Sequence, residues 1–324
     1  MSLPGGNPRI PEGINASEEN PLLEFAWLAG ALLLGLAALV LVLSVSARWL
    51  APFIPFSWEQ RASAAVDVFL ESEDVQNDNA DASAALGELS AALLQSSLRL
   101  PVAGRPAAEV VPPQAFRFHL LSNPQPNAFA TLGANVLVTE GLLGHVRSEN
   151  GLAMVIAHEI AHVQLRHPVE SLGRGVVLQL VFSVITGSTD NTALGGALAS
   201  GGLLTLLSFS REMELAADRR ALALLESHYG HLGGADEFFE SMDVAENSAQ
   251  WLEFVSTHPA TERRLALIHQ AMAADTVQQP LRELPAALHS VAAAQACTAE
   301  VALDAAAHSS ISACPAGAGN LSGP

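Results

Sequence analysis

Residues 152–165 read LAMVIAHEIAHVQL. Apolar side chains surround His158, Glu159 and His162 on every face of the helix this pattern predicts. Two histidines at i and i+4 differ by about 40° in azimuth and about 6 Å in height, so both imidazoles can meet one cation. Glu159 is turned about 100° from His158. It is no equivalent third ligand, but it can reach a water beside that cation and act as general base. Burying two imidazoles and a carboxylate in so apolar a helix is costly unless they have a partner. The plainer alternative is two satisfied core histidines with a surface glutamate.

A catalytic zinc takes three protein ligands and keeps one position open. The segment SREMELAAD (210–218) offers Glu212, Glu214 and Asp218. Glu214 and Asp218 are i and i+4 and share a helix face, whereas Glu212 points about 160° away from Glu214. We assign Glu214 as third ligand of one Zn²⁺ per chain. Asp218 then accepts the outer N–H of one zinc-bound imidazole, which fixes its tautomer. The alternative is a solvated acidic face paired with Arg211, Arg219 and Arg220.

Working outward, the chain has 324 residues, 50% hydrophobic and 15% charged, with a mean hydropathy of +0.30. That is too apolar for disorder and long enough for one or two cores. Fifteen basic residues against 33 acidic ones leave a formal charge of −18, the wrong sign for a nucleic-acid partner. Every basic residue is Arg, which excludes Schiff-base and P-loop lysine chemistry. Cys297 and Cys314 are the only cysteines, too few for a disulfide framework.

Residues 25–47, FAWLAGALLLGLAALVLVLSVSA, carry no charge. At 1.5 Å per residue they reach about 34 Å, enough to cross the hydrocarbon layer. Glu24 and Arg48 bracket the run, and Trp27, Trp49, Phe53, Phe56 and Trp58 flank it as an aromatic belt. The acidic lead segment 1–24 is a poor signal-peptide n-region, so a retained transmembrane helix is expected.

Two helices are expected between Trp58 and Leu100, around a polar loop at 71–81. A small sheet with a hairpin follows, from FRFHLL (116–121), NAFA (127–130) and NVLVT (135–139). The zinc helix should run from about Ser148 to His167 and stop at Pro168, and another helix from about Arg211 to His228. The apolar stretch 175–210 reads as a helical hairpin that packs on the core or dips into the membrane, a spanning pair remaining open by length. Residues 285–324 read as a weakly ordered tail.

The ordered set NAFA (127–130), HEIAH (158–162), SREMELAAD (210–218) and THPATERRL (257–265) resembles the membrane-associated gluzincin endopeptidases. This is peptidase family forty-eight of the metalloproteases, the group of the CAAX prenyl endopeptidase, HtpX and BepA. The anchored, single-domain stress-protease members are the most similar in layout. The resemblance covers roughly residues 114–272. It implies an α+β, zincin-like, mostly helical metalloprotease domain over 48–284 with a small β-sheet, behind one transmembrane helix. It implies Glu159 as catalytic base and His158, His162 and Glu214 as metal ligands. Asp218 and Arg211 would support the ligands, and Asn127 and Ala128 would hold an extended substrate backbone by β-augmentation. His258 would stabilise the oxyanion or occupy the open zinc position as a latch. His167 is expected to interact with the helix C-terminus, and His119, His228 and His231 to be structural.

The expected function is therefore a membrane-anchored zinc endopeptidase in envelope protein quality control, acting on misfolded membrane or envelope proteins. Charges beside the span nearly balance and lean toward a cytoplasmic domain, while the resemblance implies a bacterial inner membrane with a periplasmic catalytic domain. A membrane-anchored holdase or scaffold with a structural zinc is the alternative.

Overall fold

The computed structural model describes residues 20–50, 53–63, 79–102, 111–173, 175, 209–244, 251–259 and 262–295. The apolar run near the N-terminus forms α1 (Pro21–Leu50), which contains the expected span. From Pro21 to Val42 it is long and apolar enough to cross a membrane, and none of that window is buried inside the protein. Leu22, Trp27, Leu32 and Leu34 point outward, an arrangement that lipid favours and water does not. Next come α2 (Phe56–Ala62) and α3 (Ala80–Ser97), where the side chain of Asn79 accepts the amide of Ala82 and caps α3. The polar loop expected between them falls almost wholly outside the described residues.

The β-like block forms β1 (Arg117–Leu121), β2 (Ala128–Thr131) and β3 (Asn135–Thr139), followed by the short α4 (Glu140–Leu143). The strand order is β1-β3-β2. β2 and β3 form the expected hairpin, antiparallel with Ala128 opposite Val138. β1 lies parallel to β3 with Arg117 opposite Asn135. Gly133 turns the hairpin at φ 74°, and a Cβ there would lie 2.5 Å from Ser63 Oγ, just after α2. Only glycine lets the hairpin sit this close.

Ser148 opens α5 (Glu149–Gln164), its hydroxyl oxygen accepting the amide of Gly151. Every residue of α5 from Asn150 to Gln164 is buried. β2 and β3 pack on it, α6 (Arg211–Tyr229) lies along it, and α3 and α7 (Glu237–Val244) complete its surroundings. Ser210 caps the start of α6, and Gly230, at φ 76°, ends it. The chain continues through α8 (Leu252–Thr257) and α9 (Glu262–Ala274), and α9 packs on α6. Leu86, Leu93, Val136, Val138, Leu152, Ile156, Ile160, Leu224 and Ile268 share one core. The fold is α+β and mostly helical.

Two boundaries differ from expectation. The zinc helix ends before Pro168: Leu165 caps it, and Arg166 takes the left-handed conformation at φ 64°. A further helical stretch over 167–173 then holds Pro168 in its first turn, where a missing N–H costs little. The tail expected over 285–324 also begins too early. Residues 286–295 are helical, and Leu284, Leu288, Val291 and Ala292 belong to the core, because an Ala-rich segment with these few large side chains on one face still buries that face. The rest of that tail, with Cys297 and Cys314, and nearly all of the 175–210 hairpin lie outside the described residues. Replacing the fully buried Leu288 by Ala is expected to cost about 2–5 kcal/mol in denaturant unfolding. Unchanged stability would put 286–295 outside the core.

Candidate active site

α5 presents His158 and His162 one turn apart, with their Nε2 atoms 2.9 Å from each other. Two N–H groups cannot face one another at that distance, so at least one nitrogen directs a lone pair into the gap. α6, packed along α5, brings Glu214 to the same place. Its Oε2 is 3.3 Å from His158 Nε2 and its Oε1 3.5 Å from His162 Nε2. His258 follows the last turn of α8 and puts Nδ1 3.2 Å from Glu214 Oε1. One donor atom from each of His158, His162, Glu214 and His258 lies within 4.8 Å of the other three, and all four residues are buried.

A second ring of contacts holds the first. Asp218, one turn beyond Glu214, places Oδ1 2.9 Å from His158 Nδ1, so the imidazole donates there and keeps Nε2 as a lone pair. Arg264, from α9, donates through Nε and Nη2 to the two oxygens of Asp218 at 2.8 Å each. Its Nη1 lies 2.7 Å from Glu214 Oε2, so one guanidinium joins both carboxylates. The outer nitrogen of His162 faces His167, Nδ1 to Nδ1, at 2.9 Å. Phe209 stacks on the His162 ring at 3.9 Å between centroids, and Phe254 on His258 at 5.1 Å.

Electrostatics select what the site can hold. Glu159, Glu214 and Asp218 carry three buried negative charges against the single positive charge of Arg264. With neutral imidazoles the balance is two charges short, which one divalent cation supplies. The proton affinities agree. Burial lowers that of His158, yet Asp218 and Glu214 overcome it and raise the imidazole to about 9. Burial pushes the Glu214 carboxyl up, but His258 and His162 hold it well below the usual carboxylate range. The carboxylates draw positive charge to this point, as a proton or as a metal. Burial lowers His162 well below an ordinary imidazole, so it stays neutral and can ligate. Two imidazole nitrogens and a carboxylate oxygen are the donor chemistry of zinc.

Glu159 points elsewhere. It is fully buried, and burial raises its carboxyl above the usual range. The amide of Ala130 faces it, and His258 Nε2 is 3.6 Å from its Oε1, but neither oxygen completes a hydrogen bond. A raised, unsatisfied carboxylate beside a metal-type donor set is suited to accepting a proton.

The residues singled out in the sequence divide as follows. His158, Glu159, His162, Glu214, Asp218 and His258 come together. Arg211 does not: it is the first residue of α6, with an exposed side chain, and Arg264 occupies the supporting position instead. Arg264 lies in the quoted THPATERRL segment, so the signal was present without a direction. Asn127 turns its main chain into the sheet, donating to Thr139 Oγ1 and accepting from Thr139 N. Its main chain is thereby taken up within the sheet. By antiparallel alternation Ala128 and Ala130 turn their amides and carbonyls away from β3, and the Ala130 amide meets Glu159. The main-chain groups that turn away from the sheet are therefore those of Ala128 and Ala130, both fully buried. His119 Nε2 donates to Asn135 Oδ1 at 3.1 Å, and His228 pairs with Ser96, as structural histidines do.

Known proteins share this stretch. The chain is 36% identical over 157 residues to the mitochondrial metalloendopeptidase OMA1 of Schizosaccharomyces pombe, covering 48% of this chain and 46% of that protein. It is 32% identical over 162 residues to the beta-barrel assembly-enhancing protease of Escherichia coli, covering 47% and 33%. A further match, 30% over 157 residues, is to OMA1 of Saccharomyces cerevisiae, covering 46% and 45%. The chain thus spans between a third and just under half of the length of these relatives. Residues 96–272 match the profile of peptidase family M48. That match takes in more than half of the chain and every residue converging on the site, and the chain belongs to peptidase family M48.

Proposed function

We propose that this chain is a membrane-anchored zinc metalloendopeptidase, with one zinc held by His158 Nε2, His162 Nε2 and Glu214. The observation that carries the reading is the convergence of these donors beside the buried, unsatisfied carboxylate of Glu159. When bound, zinc supplies a Lewis acid that polarises the scissile carbonyl and acidifies the attacking water. Glu159 takes the proton from that water, holds it in a carboxyl whose proton affinity burial has raised, and passes it to the leaving amine. Asp218 keeps His158 in the tautomer that ligates, and Arg264 keeps Asp218 and Glu214 in register. His258 Nε2 lies 3.6 Å from Glu159 Oε1; with Nδ1 donating to Glu214, it would donate to the carbonyl oxygen only as the imidazolium, as negative charge develops. An extended peptide would pair with β2 through the main-chain groups of Ala128 that turn away from β3; these are fully buried here, so the strand must be uncovered for a substrate to dock.

One observation favours a second reading: His258 is within reach as a fourth donor, and four ligands would close the site as a structural zinc. Glu159 weighs against it, since a closed site leaves a fully buried carboxylate, poorly satisfied by its neighbours, without a task.

The span at 25–47 would tether the domain to a bacterial inner membrane, with the domain in the periplasm and misfolded envelope proteins as substrates. Support comes from the exposed apolar surface of α1 and from the name of the bacterial relative, a beta-barrel assembly-enhancing protease. A C-terminal alkaline phosphatase fusion is expected to be active. An inactive fusion that is stably produced would move the domain to the cytoplasm.

Glu159→Gln keeps all ligands and removes the base. Zinc content should stay near one per chain while casein cleavage falls by at least about 10³-fold, and Glu214→Ala should lose zinc as well as cleavage. Wild-type cleavage by Glu159→Gln contradicts the mechanism; full zinc content in Glu214→Ala moves the third ligand elsewhere. No cleavage by the wild type under any condition favours the closed structural site.

A further inference from the structure

The two zinc-helix histidines have different outer partners. His158 leans on the carboxylate of Asp218, His162 on the imidazole of His167. The second contact requires an unusual backbone. α5 ends at Gln164, and a chain continuing in the same helix would carry His167 past His162, five residues on, toward another face. Instead Arg166 adopts φ 64°, the left-handed region, and the chain turns back on itself. His167 then returns over the helix end, its ring edge-on to that of His162 at 4.9 Å between centroids.

A left-handed non-glycine residue persists where its surroundings hold it. Here the holding group is α2, the first helix after the membrane anchor. The Arg166 side chain is buried and pairs through Nη1 with Glu59 Oε2. Its Nη2 donates to the carbonyl of Ile54 at 2.8 Å, and the guanidinium lies over the Phe56 ring at 5.8 Å. Glu59 Oε1 accepts the amide of Gly133, which fastens the same carboxylate to the β2–β3 turn. Among the described residues this is the one ion pair that joins the segment after α1 to the end of the zinc helix.

We infer that His167 is the positioning residue of His162, and that α2 keeps it in place through the Glu59–Arg166 ion pair. This rests on the zinc reading given above. With His162 Nε2 ligating, the ring's N–H sits on Nδ1 and donates across the 2.9 Å contact to His167 Nδ1.

The test uses the full chain in detergent and reads zinc affinity by chelator competition, together with the visible spectrum of the Co²⁺-substituted protein. His167→Phe keeps a ring and loses the acceptor, with His167→Leu in its place if the phenyl ring prevents folding by circular dichroism. Affinity should fall about 10–100-fold and the cobalt bands should shift. His167→Asn retains a carbonyl acceptor and should recover most of the affinity. The double variant Glu59→Gln/Arg166→Asn leaves no buried charge unpaired and tolerates the left-handed backbone. It should also weaken zinc binding and alter the cobalt bands. Wild-type affinity and spectrum in His167→Phe, or equal losses in His167→Phe and His167→Asn, would overturn the positioning role. Wild-type behaviour of the double variant would overturn the part given to α2. A wild-type chain that binds no zinc refutes the metal reading itself, a result separate from either.

Discussion

Two imidazole nitrogens 2.9 Å apart, with a carboxylate against both, make up a buried cluster that only a positive charge can hold together. Buried carboxylates without compensation are among the most costly groups a core can contain. This chain places three of them around one point and supplies a single guanidinium. Much of the remaining architecture serves that cluster. α5 is buried on all sides, so its histidines have no solvent to turn to. α6 lies along α5 and delivers Glu214 and Asp218 from successive turns. α9 packs on α6 and delivers Arg264, and α8 brings His258 to close the group.

The outer contacts matter because imidazole has two nitrogens and a metal uses one. Asp218 and His167 each face the far nitrogen of one imidazole of the pair, and the two near nitrogens meet at 2.9 Å. Arg264 does the same for the carboxylates, holding Glu214 by an ion pair and Asp218 by two hydrogen bonds. The edge strand completes the arrangement from the other side. The main chain of Ala128 and Ala130 turns away from β3, and the Ala130 amide meets Glu159.

Much of this was legible in residue spacing. The i, i+4 histidines and the i, i+4 pair Glu214 and Asp218 follow from helix periodicity alone, and so does the separate direction of Glu159. The three strands were visible as short alternating or apolar runs. What escaped were features set by tertiary packing. Arg211 and Arg264 are both arginines in motif segments. Only the meeting of α9 with α6, 46 residues apart in sequence at Arg264 and Asp218, decides which of them reaches the carboxylates. His167 was read as a helix-end residue, because the left-handed turn at Arg166 depends on Glu59, more than a hundred residues earlier. The short helix at 286–295 was hidden by alanine, whose burial leaves little periodic signal.

Anomalous diffraction at the zinc edge, from crystals of the full chain, tests the central claim most directly. The account predicts one peak per chain, bonded at about 2.0–2.1 Å to the Nε2 atoms of His158 and His162 and at about 2.0–2.2 Å to a carboxylate oxygen of Glu214. No peak between the three residues, or a zinc whose ligands leave out Glu214, would contradict it.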